Sequence, residues 1–247
     1  MMGYDRATMN TDITLYQFTL CPFCNKVRAG LDIKGVAYNT VEVSPRTKVE
    51  LPDLPAEAPR KVPVLRIGDR VLYDSTDILM ALDEQFPNAP LFLPTDSETK
   101  AEAVRIEEWV DSEFIRALPT VIYGTWRAAA QATRTISKAS KFGLFEGMGV
   151  KMGGPMIMHM VAGRILKKAG RTDGMAWIAE CLDQFEAWLG DSDFVCGQTL
   201  TIADVAMYGG ICCVEDFPIY QSITSRPTIT AWLNRMQAHL PPVAGAA

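Results

Sequence analysis

Histidine, cysteine and long apolar runs are scarce in this sequence, and each scarcity excludes a class of protein. Six cysteines in 247 residues are too few for a secreted disulfide framework. Two histidines, with no second C-x-x-C motif, argue against a zinc site. The longest uncharged apolar stretches, 152–163 and 205–214, fall short of the roughly 20 residues that a membrane-spanning helix needs. Basic residues number 24 against 29 acidic ones, the wrong balance for neutralising many phosphates. We therefore expect no transmembrane segment and no nucleic-acid partner.

The remaining composition is that of an ordinary globular protein, with 48% hydrophobic and 21% charged residues. The polar N-terminus lacks the basic start and apolar core of a secretory signal, so we expect a cytoplasmic protein. A reducing compartment makes a close pair of cysteines more often catalytic or metal-binding than structural.

Strand and helix patterns alternate over residues 11–87, after a polar tail at 1–10. A short buried strand precedes a predicted helix at 22–34, and a second strand follows at 38–43; this spacing indicates a parallel pair. Two further strands, joined by Gly68-Asp69, form a predicted hairpin before a helix at 75–86 that Ser75 would cap. The pattern predicts a small α/β domain.

Three prolines within eight residues mark a linker at 88–96, and every strong period after it is helical. Thr201 and Asp204 form a predicted capping box, so one helix begins there. The sequence therefore predicts an all-helical C-terminal domain over 97–247.

The motif Cys21-Pro22-Phe23-Cys24 lies where the first strand ends and the first helix begins. Exposed amide groups at a helix N-terminus favour a thiolate at Cys21, and Cys24 lies within reach across one turn. The alternatives are half of a zinc site or an inert pair. A zinc site would need further ligands that the sequence does not supply, so no metal is expected and thiol chemistry is favoured.

Two further motifs follow in the same domain. Lys61-Val62-Pro63 opens the third strand, where the proline is either in the cis form, turning the Val62 backbone toward a ligand, or a plain edge proline. Asp74-Ser75 precedes a helix, whose N-terminus either binds a carboxylate beside an ammonium group or is simply capped.

Residues 148–163 are rich in methionine and glycine. Methionine adapts to varied ligands, so this segment either lines a soft apolar pocket or belongs to the core or a subunit interface, which is the favoured interpretation. His159 within it is expected to be a satisfied interior histidine.

The order and spacing of Cys-Pro-Phe-Cys, Val-Pro and Asp-Ser, followed by a helical domain with a Thr-Ile-Ala-Asp capping box, resemble the glutathione transferase superfamily. Its N-terminal domain is thioredoxin-like and similar to glutaredoxins. Stretches around 16–28, 41–43 and 141–147 are most similar to its prostaglandin E synthase type 2 branch. The resemblance implies a thioredoxin-like α/β domain followed by an all-α domain, glutathione as co-substrate and a homodimer.

By position, the resemblance implies that Cys21 faces the glutathione thiol, with Cys24 beside it. The glutathione-binding set that it implies is Phe23, Lys61, Val62, Pro63, Asp74 and Ser75. Phe18 stands where the mammalian enzyme of the branch has a tyrosine near the reaction centre, so the sequence lacks a hydroxyl that a peroxide isomerase would use. No residue pattern supports haem.

The leading hypothesis is a glutathione transferase-like enzyme in which Cys21 performs thiol transfer or disulfide reduction on a small hydrophobic or disulfide substrate. One alternative is a glutathione-assisted isomerase or peroxidase acting on a hydrophobic, prostaglandin-like peroxide. Another is a non-catalytic module that binds glutathione or haem.

Overall fold

The computed structural model describes residues 12–45, 47–125, 129 and 144–241, with only the backbone described for 144–155 and 158. The strands are β1 (Ile13–Gln17), β2 (Asn39–Glu42), β3 (Val64–Ile67) and β4 (Arg70–Tyr73). The first helices are α1 (Pro22–Ile33), α2 (Ser75–Gln85), α3 (Ser97–Trp109) and, after a π-helical turn (Val110–Ile115), α4 (Arg116–Ile122). The remaining helices are α5 (Leu144–Ala169), α6 (Gly174–Leu189), α7 (Ile202–Cys212), α8 (Ile219–Thr224) and α9 (Pro227–Ala238).

The four strands form one mixed sheet in the order β2-β1-β3-β4. β1 and β2 are parallel, as the intervening α1 requires, and β3 runs antiparallel to both β1 and β4. Ile13, Leu15 and Leu65 are buried because the central strands are covered by helices. The prediction of a thioredoxin-like α/β half followed by a helical half is confirmed.

Side chains of both halves form one continuous hydrophobic core, in which Leu15 and Leu31 join a cluster that includes Phe114 and Trp177. The predicted domain boundaries at 11–87, 88–96 and 97–247 stay predictions, and the tail at 1–10 lies outside the described residues. No helix in the described part of the chain is both long and apolar enough to cross a membrane.

Helix α1 crosses α7 at close range, and this crossing joins the two halves. Gly209 lies against Lys26 so closely that a Cβ atom at position 209 would overlap the Lys26 backbone. The start of α7 is fixed by the predicted capping box, since the Asp204 carboxylate accepts hydrogen bonds from the Thr201 backbone amide and hydroxyl at 2.9 and 3.0 Å. The helix that supplies Cys21 is thus held by the helical half.

Two sequence-based expectations need correction, and one element was not predicted. Asp74, and not Ser75, caps α2: its carboxylate accepts the amide of Thr76 at 2.9 Å, and Ser75 is the first helical residue. The strand predicted from Val62 begins at Val64, because proline at 63 cannot donate to the ladder. The sequence pattern does not predict the π-helical turn, because its apolar residues keep the spacing of an ordinary α-helix.

The prediction that the methionine-rich segment, 148–163, belongs to the core is also wrong for part of that segment. Met156, Ile157, Met160 and Val161, on α5, are all exposed. His159 is partly buried, and its Nδ1 lies 3.3 Å from the carbonyl oxygen of Tyr123. The side chains of 148–155 and Met158 lie outside the described residues.

Gly209→Ala is expected to lower the free energy of unfolding by about 1–3 kcal/mol, because the new methyl group meets backbone that cannot move aside. The matched control is Gly163→Ala on α5, where a Cβ has open space and alanine favours the helix. Chemical denaturation of both variants measures the difference. Equal stabilities would show that the α1–α7 crossing adapts freely.

Candidate active site

Cys21 is the N-cap residue of α1, with an extended backbone at φ −84° and ψ 121°. Pro22 follows as the first helical residue, which suits it because that position needs no amide donor. The Cys24 thiol donates a hydrogen bond to Cys21, and the amides of Cys24 and Phe23 also point at its sulfur. These donors lower the pKa of the Cys21 thiol, although burial opposes them.

Cys24 behaves in the opposite way. It is fully buried, and burial raises the pKa of its thiol well above the ordinary value; donation to Cys21 raises it further. Its sulfur lies 3.5 Å from the backbone nitrogen of Phe18, which donates to it. The surroundings therefore favour the thiolate form at Cys21 and the protonated form at Cys24.

Arg28 supplies a positive charge to this end of α1, and the sequence motifs did not reveal it. Its guanidinium donates to Gln17 Oε1 at 2.6 Å, to the Thr19 carbonyl at 3.0 Å and to the side-chain oxygen of Asn25. From there its charge adds to the lowering of the Cys21 pKa. Two turns of helix separate Arg28 from Cys21, so periodicity alone presents it as a solvated face.

The Val62–Pro63 peptide bond is cis, as one of the two interpretations of this motif expected. Pro63 is buried, Val62 is half-buried and Lys61 is exposed. Among the described residues, none forms a hydrogen bond with the backbone of Val62. An unpaired amide and carbonyl are available to a peptide-like ligand.

Asp74 and Ser75 lie at the N-terminus of α2. Asp74 is exposed and has φ 89°, a conformation that a non-glycine residue adopts only under constraint and that concentrates at functional sites. One of its carboxylate oxygens caps the helix through Thr76 and Asp77. Ser75 is buried beside it. The structure at Asp74 is therefore compatible with both interpretations of the motif, helix capping and ligand binding.

A buried ion cluster lies behind this helix terminus, and sequence reasoning missed it. The ammonium group of Lys26 is completely buried; it pairs with Glu107, with Asp111 at 3.0 Å and with the Thr76 hydroxyl at 3.1 Å. Burial raises the pKa of the Asp111 carboxyl to about 6, against the lowering effect of Lys26. The charge of Asp74 also raises it, so Asp111 belongs to the surroundings of the α2 terminus.

The helical half also contributes to the surroundings of Cys21. The Cys213 thiol, at the end of α7, donates to the carbonyl oxygen of Leu20 at 3.0 Å. Burial, together with the nearby Cys213 and Cys21 sulfurs, raises the pKa of the Tyr123 phenol to about 12. Tyr123 and Cys213 therefore stay neutral at pH 7 beside the reactive cysteine, and no sequence motif singled them out.

This arrangement brings the Cys21 sulfur, the unpaired Val62 backbone and the N-terminus of α2 to one end of the sheet, because β1 and β4 end there and β3 begins there. A thiolate attacks sulfur, peroxide oxygen or carbon electrophiles. The backbone of Val62 and the α2 terminus are suited to a peptide with a free amino-acid end.

Comparison with known proteins agrees with this description. Models of the glutathione S-transferase N-terminal and C-terminal domains match residues 15–90 and 167–239, so the chain belongs to the glutathione transferase superfamily. Prostaglandin E synthase 2 of Danio rerio is 25% identical to it over 277 residues, which cover 94% of this chain and 73% of that protein.

Solved structures of low sequence identity share the fold. The β-etherase LigF of Sphingobium superposes with a TM-score of 0.65 at 20% identity, over 92% of this chain and 95% of its own. A glutathione S-transferase of Methylobacterium radiotolerans, in complex with glutathione sulfonate, reaches 0.59 at 23% identity over 92% and 91% of the two chains.

Cys24→Ala is expected to raise the pKa of Cys21 toward its ordinary value, because the strongest donor to its thiolate is removed. Cys21 is alkylated with iodoacetamide at pH values between 5 and 10, and peptide mass spectrometry quantifies the product. The pH midpoint of the alkylation rate gives the pKa of Cys21. The matched control is Cys181→Ala, a buried cysteine on α6. A midpoint that stays in place in Cys24→Ala would show that Cys24 does not stabilise the thiolate.

Proposed function

We propose that this chain is a glutathione-dependent thiol–disulfide oxidoreductase with Cys21 as its nucleophile. The observation that carries the proposal is the position of Cys21 as the N-cap residue of α1, with the buried Cys24 one turn away. The opposite directions of their pKa shifts support it. A cysteine thiolate both attacks disulfides and leaves from them readily. A serine or tyrosine hydroxyl at this place would instead hold glutathione's own thiolate by a hydrogen bond.

The reaction takes place in two exchanges. In the first, the Cys21 thiolate attacks the glutathionyl sulfur of a mixed disulfide R–S–S–G; a new Cys21–glutathione bond forms and R leaves as its thiolate, which takes a proton from water. In the second, the thiolate of another glutathione attacks the glutathionyl sulfur on Cys21. Oxidised glutathione forms and the Cys21 thiolate returns. Because glutathione resolves the intermediate, Cys24 serves mainly as a hydrogen-bond donor.

The glutathione tripeptide would lie between Cys21 and the α2 terminus. The unpaired backbone of Val62, beside the cis Pro63, is suited to the cysteinyl part, together with the backbone of Phe23. The carboxylate of Asp74 and the amide of Ser75 would hold the ammonium and carboxylate groups of the γ-glutamyl end. The exposed ammonium of Lys61 is available to the glycyl carboxylate. The glutathione sulfonate bound by the Methylobacterium relative supports a tripeptide of this kind.

A second candidate is a glutathione-assisted isomerase or peroxidase acting on a hydrophobic peroxide, as the name of the Danio rerio relative suggests. The observation that favours it is Tyr123, whose neutral phenol lies near Cys21 and could donate a proton to a peroxide oxygen. Phe18 provides no such hydroxyl.

We further propose that the chain acts as a homodimer in the reducing cytoplasm, where glutathione and free thiols coexist. All six cysteines are free in the structure, as such a location requires. Met156, Ile157 and Met160 form one apolar face of α5 and are between 49% and 60% exposed. A second copy of the chain would cover this face.

Cys21→Ser is expected to reduce the rate of glutathione-dependent cleavage of the mercaptoethanol–glutathione disulfide to the uncatalysed rate, because no thiolate remains to form the mixed disulfide. The measurement is a coupled assay of oxidised glutathione, alongside intact mass after incubation with oxidised glutathione. The wild-type protein should gain one glutathione on Cys21, and the variant none. The comparison variant is Cys24→Ser, which should keep part of the activity.

An unchanged rate in Cys21→Ser would refute the assignment of Cys21 as the nucleophile. Turnover of a hydrophobic peroxide by a wild-type protein that leaves mixed disulfides intact would favour the second candidate. Glutathione binding without turnover of either substrate would indicate a binding module.

Ile157→Lys is expected to shift the protein from dimer to monomer, because an ammonium group cannot be buried in an apolar contact without a partner. Sedimentation velocity gives the mass. The control is Val49→Lys, which places the same charge on an exposed aliphatic position of the α/β half. A wild-type monomer, or an Ile157→Lys dimer, would refute the use of this face.

A further inference from the structure

A cleft of about 350 Å³ lies along α1 on the side that faces the end of α7. Its volume is at the small end of the range for ligand sites, roughly 300–1,000 Å³. It is lined by Thr19, Leu20, Asn25, Arg28, Ala29, Asp32, Tyr208, Cys212, Cys213, Glu215, Asp216 and Leu240. The proposed glutathione residues are not among them, so the cleft is a separate space.

Asn25 gives this cleft a buried donor with no partner. The residue is only 8% exposed; its side-chain oxygen accepts from Arg28, and its Nδ2 has no hydrogen-bond partner among the described residues. A buried donor without a partner is costly and rare in folded proteins. The bond from Arg28 also fixes which end of the amide is the donor, so Nδ2 is the group left without an acceptor.

The cleft begins directly beside the reactive cysteine. Leu20, the residue before Cys21, forms part of its wall, and the thiol of Cys213 connects the opposite wall to the Leu20 carbonyl at 3.0 Å. Asn25 and Arg28 follow Cys21 at four and seven residues, which places them on the same face of α1. A group attached to the sulfur that Cys21 attacks could therefore extend into the cleft.

The walls differ in charge. Asn25 and Arg28 provide N–H donors on the α1 side, where the Asp32 carboxylate also lines the cleft, and Glu215 and Asp216 provide carboxylates beyond the end of α7. Donors suit a carboxylate ligand, and the Glu215 carboxylate suits an ammonium. An apolar chain would leave the Asn25 Nδ2 donor without a partner, which disfavours a lipid in this cleft.

We propose that the cleft binds the amino-acid end of the second thiol, the group R of the mixed disulfide R–S–S–G, and that R is a cysteine-like zwitterion. Its carboxylate accepts from Asn25 Nδ2, and its ammonium pairs with Glu215. The inference rests on the proposed function for its chemistry. It names the substrate class as a small polar thiol.

Binding to Cys21→Ser protein tests the cleft without turnover. Calorimetry compares the cysteine–glutathione disulfide with the mercaptoethanol–glutathione disulfide, which carries a neutral hydroxyl in place of the zwitterion. We expect the cysteine compound to bind about tenfold more tightly or better, as the loss of charged hydrogen bonds on this scale implies. Asn25→Asp in the same background keeps the acceptor for Arg28 but sets a carboxylate against the ligand, so the preference should disappear.

Two further variants complete the test. Asn88→Asp makes the same change at an exposed linker position and should retain the preference. Glu215→Gln, at an exposed position that does not threaten folding, should weaken it. Equal affinities for the two disulfides, or a preference that survives both Asn25→Asp and Glu215→Gln, would overturn the proposal.

The remaining outcomes distinguish failure of the cleft assignment from failure of the proposed reaction. Binding with the expected preference, but no turnover of either disulfide by the wild-type protein, would refute thiol transfer and leave the cleft assignment standing. No binding of either compound would refute the cleft and the glutathione site together. Turnover with equal affinities would support thiol transfer and refute the cleft.

Discussion

The orientation of the reactive helix depends on one buried ammonium group. Lys26 lies one turn beyond Cys21 and is completely buried between the two halves of the protein, where its partners Glu107 and Asp111 come from the helical half. The two carboxylates are four residues apart, so both face the same way. Removing one member of such a cluster leaves an uncompensated buried charge, which is far more costly than breaking a surface ion pair. Rotation of α1 is therefore opposed by electrostatics as well as by shape.

Because α1 is held in this way, the helical half determines the surroundings of a nucleophile that the α/β half supplies. Gly209 allows α7 to approach the Lys26 backbone, and Cys213 at the end of the same helix reaches the loop before Cys21. Tyr123 approaches from α4. The α/β half alone would present the thiolate to water, whereas the crossing of α1 with α7 encloses it and creates the cleft beside it.

Short-range features of the site were predictable from the sequence, and contacts between the two halves were not. Cys21 before a helix, the proline at 63 and the capping box at Thr201 each depend on a few consecutive residues. Aspartate and serine are both favourable N-cap residues, so the sequence did not determine whether Asp74 or Ser75 caps α2. Lys26 and Glu107 are 81 positions apart, and a lysine within a helical pattern reads as solvated unless its partner is known. Only packing of the whole chain brings them together.

In the proposed reaction, activation of the Cys21 sulfur and choice of substrate depend on different groups. Phe18 acts on the thiol pair through its backbone amide, which donates to Cys24, so a change of side chain at this position leaves the donor in place. The same holds for the amides of Phe23 and Cys24 that face Cys21. Groups that would contact a second substrate come instead from side chains on α1, α4 and α7. The side chains that would face a second substrate can therefore change without disturbing the backbone that faces the sulfur.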